Sequence, residues 1–238
     1  MSEPRARTTV NERVLESTGL TKEYRRGPER IHALAGVSFS ISAGEVVALV
    51  GPSGSGKTTL LSVLAGWERP DGGHVRWSGL ETHAGLPGWD AVAVVPQTLG
   101  LVEELSIREN IELPLRLTGT AAGRDHVASL LEAFGLSELA DRLPGETSLG
   151  EQQRTALARG LVRRPRLLMA DEPTGHQDAH WTRAVLEAIG ASAAEGTAVL
   201  MATHHRALVR FADRVVAMAD GRAEQVDADA VVGTGDEL

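Results

Sequence analysis

The segment Gly51-Pro52-Ser53-Gly54-Ser55-Gly56-Lys57-Thr58 places glycines, one lysine and one hydroxyl at the spacing that cradles a polyphosphate. Glycine lets the backbone curl until successive N–H groups point inward at phosphate oxygens, and a helix opening at the end of the loop adds positive potential. Lys57 is then set to reach β- and γ-phosphates, and the Thr58 hydroxyl to ligate Mg²⁺. The lysine is informative in its own right. The chain carries 22 arginines and only two lysines, Lys22 and Lys57, so a position that keeps lysine points to a need for a compact ammonium in place of a planar fork. The phosphate-binding set is Gly51, Ser53, Gly54, Ser55, Gly56, Lys57, Thr58 and Thr59.

A second constellation is Leu167-Leu168-Met169-Ala170-Asp171-Glu172, an apolar strand ending in two carboxylates. In a parallel sheet, ligands gather beyond the carboxyl ends of the strands, which puts this tip beside the glycine-rich loop. Asp171 is assigned to the metal together with Thr58, and Glu172 to orienting or deprotonating an attacking water.

The elements that must position these groups are legible as short apolar runs. Val46–Val50 reads as a strand covered on both faces, and Ala91–Val95, Leu167–Ala170, Ala198–Ala202 and Val215–Ala219 resemble it. Val37–Ile41 alternates apolar and polar residues, the period of a half-buried strand. Helical spacing links Val127, Leu130, Leu131 and Phe134, and again Trp181, Val185, Ala188 and Ile189. Strands alternating with helices predict an α/β fold with a mostly parallel sheet. Residues 99–164 hold helical patterns and no strand, as expected of a helical subdomain inserted in that core. Residues 13–226 are expected to form one domain, with disordered tails at 1–12 and 227–238.

Composition removes several classes of function. There is no cysteine, which excludes disulfides and thiolate metal sites and is compatible with a reducing compartment. A net charge of −8 and 3% aromatic residues argue against nucleic acid as a partner. No apolar run approaches the ~18 residues of a membrane span. His176 and His180 have a helical metal-binding spacing, but no third ligand accompanies them. Glu103 and Glu104 read as a solvated face, while Leu99, Leu101, Val102 and Leu105 around them are candidates for a docking groove. The lack of an Asn-Lys-x-Asp guanine-reading segment, in a chain whose only lysines are Lys22 and Lys57, argues against a GTPase.

From about Leu20 to Arg222 the chain resembles the ATP-binding subunits of ABC transporters, and the resemblance rests on motifs in the family's order. Val95-Pro96-Gln97 is similar to the Q-loop, Ser148-Leu149-Gly150-Glu151-Gln152-Gln153-Arg154 to the signature motif, Asp178 to the D-loop aspartate and His204 to the switch histidine. Tyr24 falls where the family stacks a ring on adenine. The resemblance implies a P-loop NTPase core with an N-terminal antiparallel β region, and ATP and Mg²⁺ as cofactors. It implies contacts from Gln97 to Mg²⁺ and the attacking water. It also implies a head-to-tail dimer, in which Ser148 and Gly150 cap the γ-phosphate bound to the opposite subunit. The signature departs from the family pattern at Leu149, where the first glycine is usual; a positive φ or close phosphate approach there would strain a γ-branched side chain. The D-loop is also unusual, with His176-Gln177 before Asp178.

Val94–Gln97 and Leu105–Leu115 look most like the lipoprotein-release and macrolide-export branch, whose permeases are of the FtsX type. The partners implied are a second ATP-binding subunit and integral membrane permease subunits, with the chain peripheral at the cytoplasmic face of the membrane. An alternative from another class is a slow ATP-dependent switch that signals through a permease-like partner and moves no substrate. ABC-type ATPases of DNA repair or translation usually carry two cassettes or long insertions, against which the single cassette and acidic charge count.

Overall fold

The computed structural model describes residues 12–78, 82–83, 86–87, 91–119, 124–175 and 177–233. β1 (Arg13–Arg26) and β2 (Glu29–Ser42) make a long antiparallel ribbon. After β3 (Val46–Val50) and α1 (Lys57–Leu64), β4 (Gly72–Trp77) returns to the ribbon, giving a sheet of order β2-β1-β4. β5 (Thr82–His83) and β6 (Leu86–Pro87) form a separate two-stranded ladder. The remaining strands, β7 (Val92–Val95), β8 (Leu167–Asp171), β9 (Ala198–Ala202), β10 (Arg214–Ala219) and β11 (Arg222–Val226), join β3 in a sheet of order β11-β10-β3-β9-β8-β7. Every pairing from β10 to β7 is parallel, and β11 closes one edge as an antiparallel hairpin strand.

The strands are continuously apolar because both faces of this sheet are covered, and successive side chains go to opposite sides. Val46, Leu168, Ala170, Val199 and Met201 pack into one cluster. Val47, Leu49, Leu167, Met169, Leu200 and Ala202 pack into the other, against α1 and the ribbon residues Leu15, Leu20, Leu34, Phe39 and Ile41. Arg214 braces the ribbon to this layer, since its guanidinium donates to Glu45 and to the Ser40 carbonyl and lies over the Phe39 ring.

Between β7 and β8 the chain is helical: α2 (Ile107–Thr118), α3 (Arg124–Ala133), two short 3-10 turns, and α4 (Leu149–Leu161). The predicted helical positions Val127, Leu130, Leu131 and Phe134 are all buried, in the same cluster as Ile107, Ile111, Leu157 and the first sheet face. Truncating the fully buried Phe134 to alanine would cost about 3–5 kcal/mol. Ser106 starts α2 by accepting from the Glu109 N–H at 3.2 Å, while the Glu109 carboxylate accepts from the Ser106 N–H at 3.0 Å. α5 (Ala179–Ala194) and α6 (Arg206–Phe211) follow β8 and β9.

The chain ends differ from the sequence expectation. Glu12, placed in the N-terminal tail, pairs with Arg166 at 2.7 Å, and its carbonyl accepts from Ala43 at 2.9 Å. Residues 227–238, expected as a patternless tail, include α7 (Ala228–Gly233). Its Val232 is buried in a cluster with Ala48, Val50, Val209 and Val215, and Val231 and Ala228 pack against the same cluster, so a few apolar side chains anchor a helix in otherwise small, acidic sequence. Residues 1–11 and 234–238 of the expected tails lie outside the described residues.

Candidate nucleotide-binding site

The loop between β3 and α1 is wedged between two strands. A Cβ on Gly51 would stand 2.2 Å from the Met218 carbonyl oxygen of β10, and one on Gly56 would stand 2.2 Å from the Ala33 carbonyl oxygen of β2. Both residues also have positive φ, +145° and +104°, so glycine is required twice over. Gly56 is the N-cap of α1 and supplies no side-chain cap, which leaves the N–H groups of the first turn directed into the cleft. The Lys57 ammonium lies over the loop, donating to the carbonyls of Gly51 at 2.7 Å and Pro52 at 3.0 Å. Tyr24, Ile31, Ser53, Gly54, Lys57, Thr58, Thr59, Gln97, Asp171, Glu172 and His204 all line a cleft of about 500 Å³. The Ser55 side chain is not among them. Its hydroxyl is buried beside Gly51, its N–H donates to the Pro52 carbonyl and its carbonyl accepts from the Gly221 N–H, so Ser55 shapes the loop from within.

β8 delivers the two carboxylates to the same cleft. Thr58 Oγ1 donates to Asp171 Oδ2 at 2.9 Å. Burial raises the Asp171 carboxyl above its ordinary range, and the Glu172 charge adds to this, whereas the Thr58 hydrogen bond and Lys57 pull it down. A hydroxyl and a half-buried carboxylate in contact, next to a backbone cradle that only glycine permits, fit a divalent cation bridging to a polyphosphate.

Glu172 turns away from the strand with φ +51°, an uncommon conformation for a residue with a Cβ, costing about 1–2 kcal/mol. Three backbone bonds hold it there: its N–H donates to the Ala202 carbonyl at 2.8 Å, and its own carbonyl accepts from the Gly175 N–H at 3.2 Å and from Gln153 Nε2. Its carboxylate is fixed at both oxygens. Oε1 contacts His204 Nδ1 at 2.8 Å, and Oε2 accepts from Thr203 Oγ1 at 3.3 Å. Thr203 is fully buried and also accepts from the His205 N–H at 3.0 Å.

Gln97 stands in the bend after β7, exposed at the cleft. The loop that follows is fastened by buried Asn110, whose amide bonds to Val102, Leu105 and Ser106, and by Arg159, which donates to the carbonyls of Leu99 and Gly100 at 2.7 Å. Leu99 and Leu101, read as walls of a docking groove, pack partly buried against the helical core. Tyr24 on β1 pairs with Ile31 on β2 and is 37% exposed, leaving its ring available at the cleft mouth. The second lysine has a job too. Lys22 lies 5.5 Å from the Tyr24 ring centroid, pairs with Glu68 at 2.7 Å and donates to the Arg69 carbonyl, bracing β1 against the loop before β4.

Ser148, Gly150 and Asp178 are not brought to the P-loop of their own chain; none lines the cleft. Ser148 caps α4 through a reciprocal pair of bonds with Glu151. Leu149 is the first residue of the helix and 47% exposed, and it is not among the positive-φ residues, so the backbone strain considered for it does not arise. Asp178 caps α5 by accepting from the Trp181 N–H at 2.9 Å. His176 lies outside the described residues; His180 packs edge-on against Trp181, and among the described residues no cluster of metal-ligating side chains occurs. Thr203, Gln153, Gln177 and Lys22 are site-supporting residues that sequence reasoning missed. Thr203 and Gln153 stand inside or beside recognised motifs, which was the available signal, whereas only the fold pairs Gln177 and Lys22 with their partners.

A family model described as ABC transporter matches residues 34–175. The chain belongs to the ABC transporter family. Among curated relatives, this ABC cassette is 42% identical over 217 residues to the lipoprotein-releasing system ATP-binding protein LolD of Gluconobacter oxydans, covering 87% of the chain and 94% of that protein. It is 37% identical over 223 residues to the macrolide export ATP-binding/permease protein MacB of Bordetella avium, covering 90% of the chain but 34% of that larger protein. Among solved structures it is similar to the dimeric, post-hydrolysis ATP-binding cassette MJ0796 bound to ADP and Pi, with a TM-score of 0.80, 29% identity, and coverage of 90% of the chain and 99% of the other. The fold is thus that of the P-loop NTPases, and the chain is an ABC ATPase of the LolD/MacB type that takes ATP with Mg²⁺.

Proposed function

We propose that this ABC cassette is the ATP-hydrolysing subunit that drives an FtsX-type permease in lipoprotein release or small-molecule export. The observation that carries it is the Glu172 carboxylate, held by His204 and Thr203 in the cleft that Lys57, Thr58 and Asp171 also line. Tyr24 stacks on the base, the P-loop N–H groups and Lys57 hold the phosphates, and Thr58, Asp171 and Gln97 serve the metal. Mg²⁺, when bound there, neutralises charge on the phosphate oxygens. Glu172 accepts a proton from the water that attacks the γ-phosphorus as the bond to the leaving ADP oxygen breaks, and His204 keeps the carboxylate aimed. Two copies close head-to-tail, so that Ser148 and Gly150 of each cap the nucleotide of the other and Asp178 meets the partner near the interface. Among the described residues no helix is long and apolar enough to cross a membrane, and the working position is peripheral, on the permease at the cytoplasmic face. Co-reconstitution with an FtsX-type permease tests the reading. Permease-stimulated hydrolysis with export of a lipid-linked or apolar cargo is the expected result; stimulation without movement of cargo identifies a switch, and no stimulation removes the permease from the reading.

A further inference from the structure

Gln177 is the residue by which the D-loop grips the signature helix. Its Nε2 donates to the Gly150 carbonyl at 2.7 Å, and its Oε1 accepts from Arg154 Nη1 at 2.9 Å. The two partners fix the orientation of the amide, because a guanidinium only donates and a carbonyl only accepts. Arg154 is itself immobilised: it is 4% exposed, donates through Nε to the Phe134 carbonyl at 2.8 Å, and stacks 3.9 Å from the centroid of Trp181. Trp181 in turn rests on Gly135, where an added Cβ would approach the ring to 1.9 Å. One end of the Gln177 amide is therefore anchored in the core, and the other is applied to the first turn of α4. A neighbouring tie runs from Gln153 on the same helix to the Glu172 carbonyl.

We propose that Gln177 is a positioning residue that sets the first turn of α4, so that Ser148 and Gly150 meet the partner's nucleotide in one orientation. This rests on the trans-capping reading above. The Gly150 carbonyl already lies within a helical turn, so a second donor there restrains the peptide plane beyond what the helix ladder provides. Satisfying the buried guanidinium would require only an acceptor, and a glutamate would do that as well or better. The donor half of the amide serves α4 alone, bonding to the Gly150 carbonyl and, more weakly at 3.5 Å, to Gln153 Oε1, and this separates positioning from pairing with the buried Arg154.

The test uses the full chain with Glu172→Gln, in which hydrolysis does not deplete the closed state. It compares Gln177, Gln177→Met and Gln177→Glu by three readouts: MgATP-dependent dimerisation by sedimentation, binding of a fluorescent ATP analogue at protein concentrations too low for dimers, and thermal melting. Both variants are expected to weaken the dimer about tenfold and leave analogue binding within about twofold, with Gln177→Glu melting like the parent. Parental dimer affinity in Gln177→Met overturns the proposal, as does parental affinity in Gln177→Glu, which would reduce the role to pairing with Arg154. A deficit confined to Gln177→Glu also overturns it, since added charge would then be the cause, and so does analogue binding that falls in step with dimerisation. Should Gln177→Met not fold, Gln177→Asn, one methylene too short to span both partners, serves as the uncharged arm. Ser148→Ala in the same background tests the underlying reading. If it dimerises like its parent, trans-capping fails and the inference with it; if it does not while the Gln177 variants do, the inference alone fails.

Discussion

Thr58 Oγ1 and Asp171 Oδ2 meet at 2.9 Å across 113 positions of sequence, joining the start of α1 to the tip of β8. The Asp171 carboxyl is pushed up chiefly by burial, so in the metal-free protein its ionised form is disfavoured relative to the unfolded chain. A carboxyl raised on folding withdraws stability as pH climbs from the unfolded value, about 3.9, through the folded one. Asp171→Asn is therefore expected to raise the melting temperature of metal-free protein at pH 7 and to confer no gain below about pH 4. Melting curves at the two pH values check this; a gain of equal size at both would remove burial of the charge as the cause.

Lys57→Ala and Glu172→Gln should fail in different ways. In the proposed site Lys57 supplies a charge to the phosphates, and its loss is expected to weaken ATP affinity about 10- to 100-fold. Glu172→Gln should bind ATP like the parent and turn over about 10²- to 10⁴-fold more slowly. Equilibrium binding beside steady-state hydrolysis separates the two, and parental turnover by the glutamine variant would remove Glu172 as the base.

Thr203→Val keeps the shape of a fully buried side chain while deleting its bonds to Glu172 Oε2 and the His205 N–H. The expected result is about a tenfold lower kcat with the KM for ATP unchanged, and about 1 kcal/mol of lost stability. A change in KM alone would show that Thr203 acts on nucleotide binding and not on the carboxylate.

Gly56→Ala and Gly54→Ala both put a Cβ at positive φ, +104° and +80°, but only the first meets backbone, since nothing lies within 4 Å of the second. Gly54→Ala should cost about 1–2 kcal/mol from conformation alone. Gly56→Ala should cost more, with a shift of the loop away from Ala33 and loss of ATP binding. Denaturant melts of the pair measure the difference, and equal costs would mean that β2 yields.

What was legible in the sequence is what repeats locally. Runs such as Val46–Val50 and Leu167–Ala170 must be strands buried on both faces, and the glycine spacing before Lys57 has few other uses. The length of β1 was not legible, because Thr18 to Arg26 is largely polar and lies on an outer ribbon where no apolar alternation is needed. Nor was the left-handed turn at Glu172, which has no glycine to mark it and exists because Ala202, Gln153 and Gly175 hold it. The short helix at 228–233 packs on α6 and joins Val232 to the cluster of Val209 with residues of β3 and β10, a contact no local pattern announces.

β2 carries Ile31, which faces the cleft beside Tyr24, and two residues later Ala33, whose carbonyl presses on Gly56. Its Ala35 N–H then bonds to the Gly221 carbonyl at 2.8 Å, pinning the ribbon to the turn between β10 and β11. The Tyr24–Ile31 pair and the Ala33 contact with the glycine cradle are thus graduations on one stiff ribbon, about 7 Å apart along β2. In the proposed reading the cleft gauges a nucleotide from base to phosphate with both jaws set on the one β1–β2 ribbon.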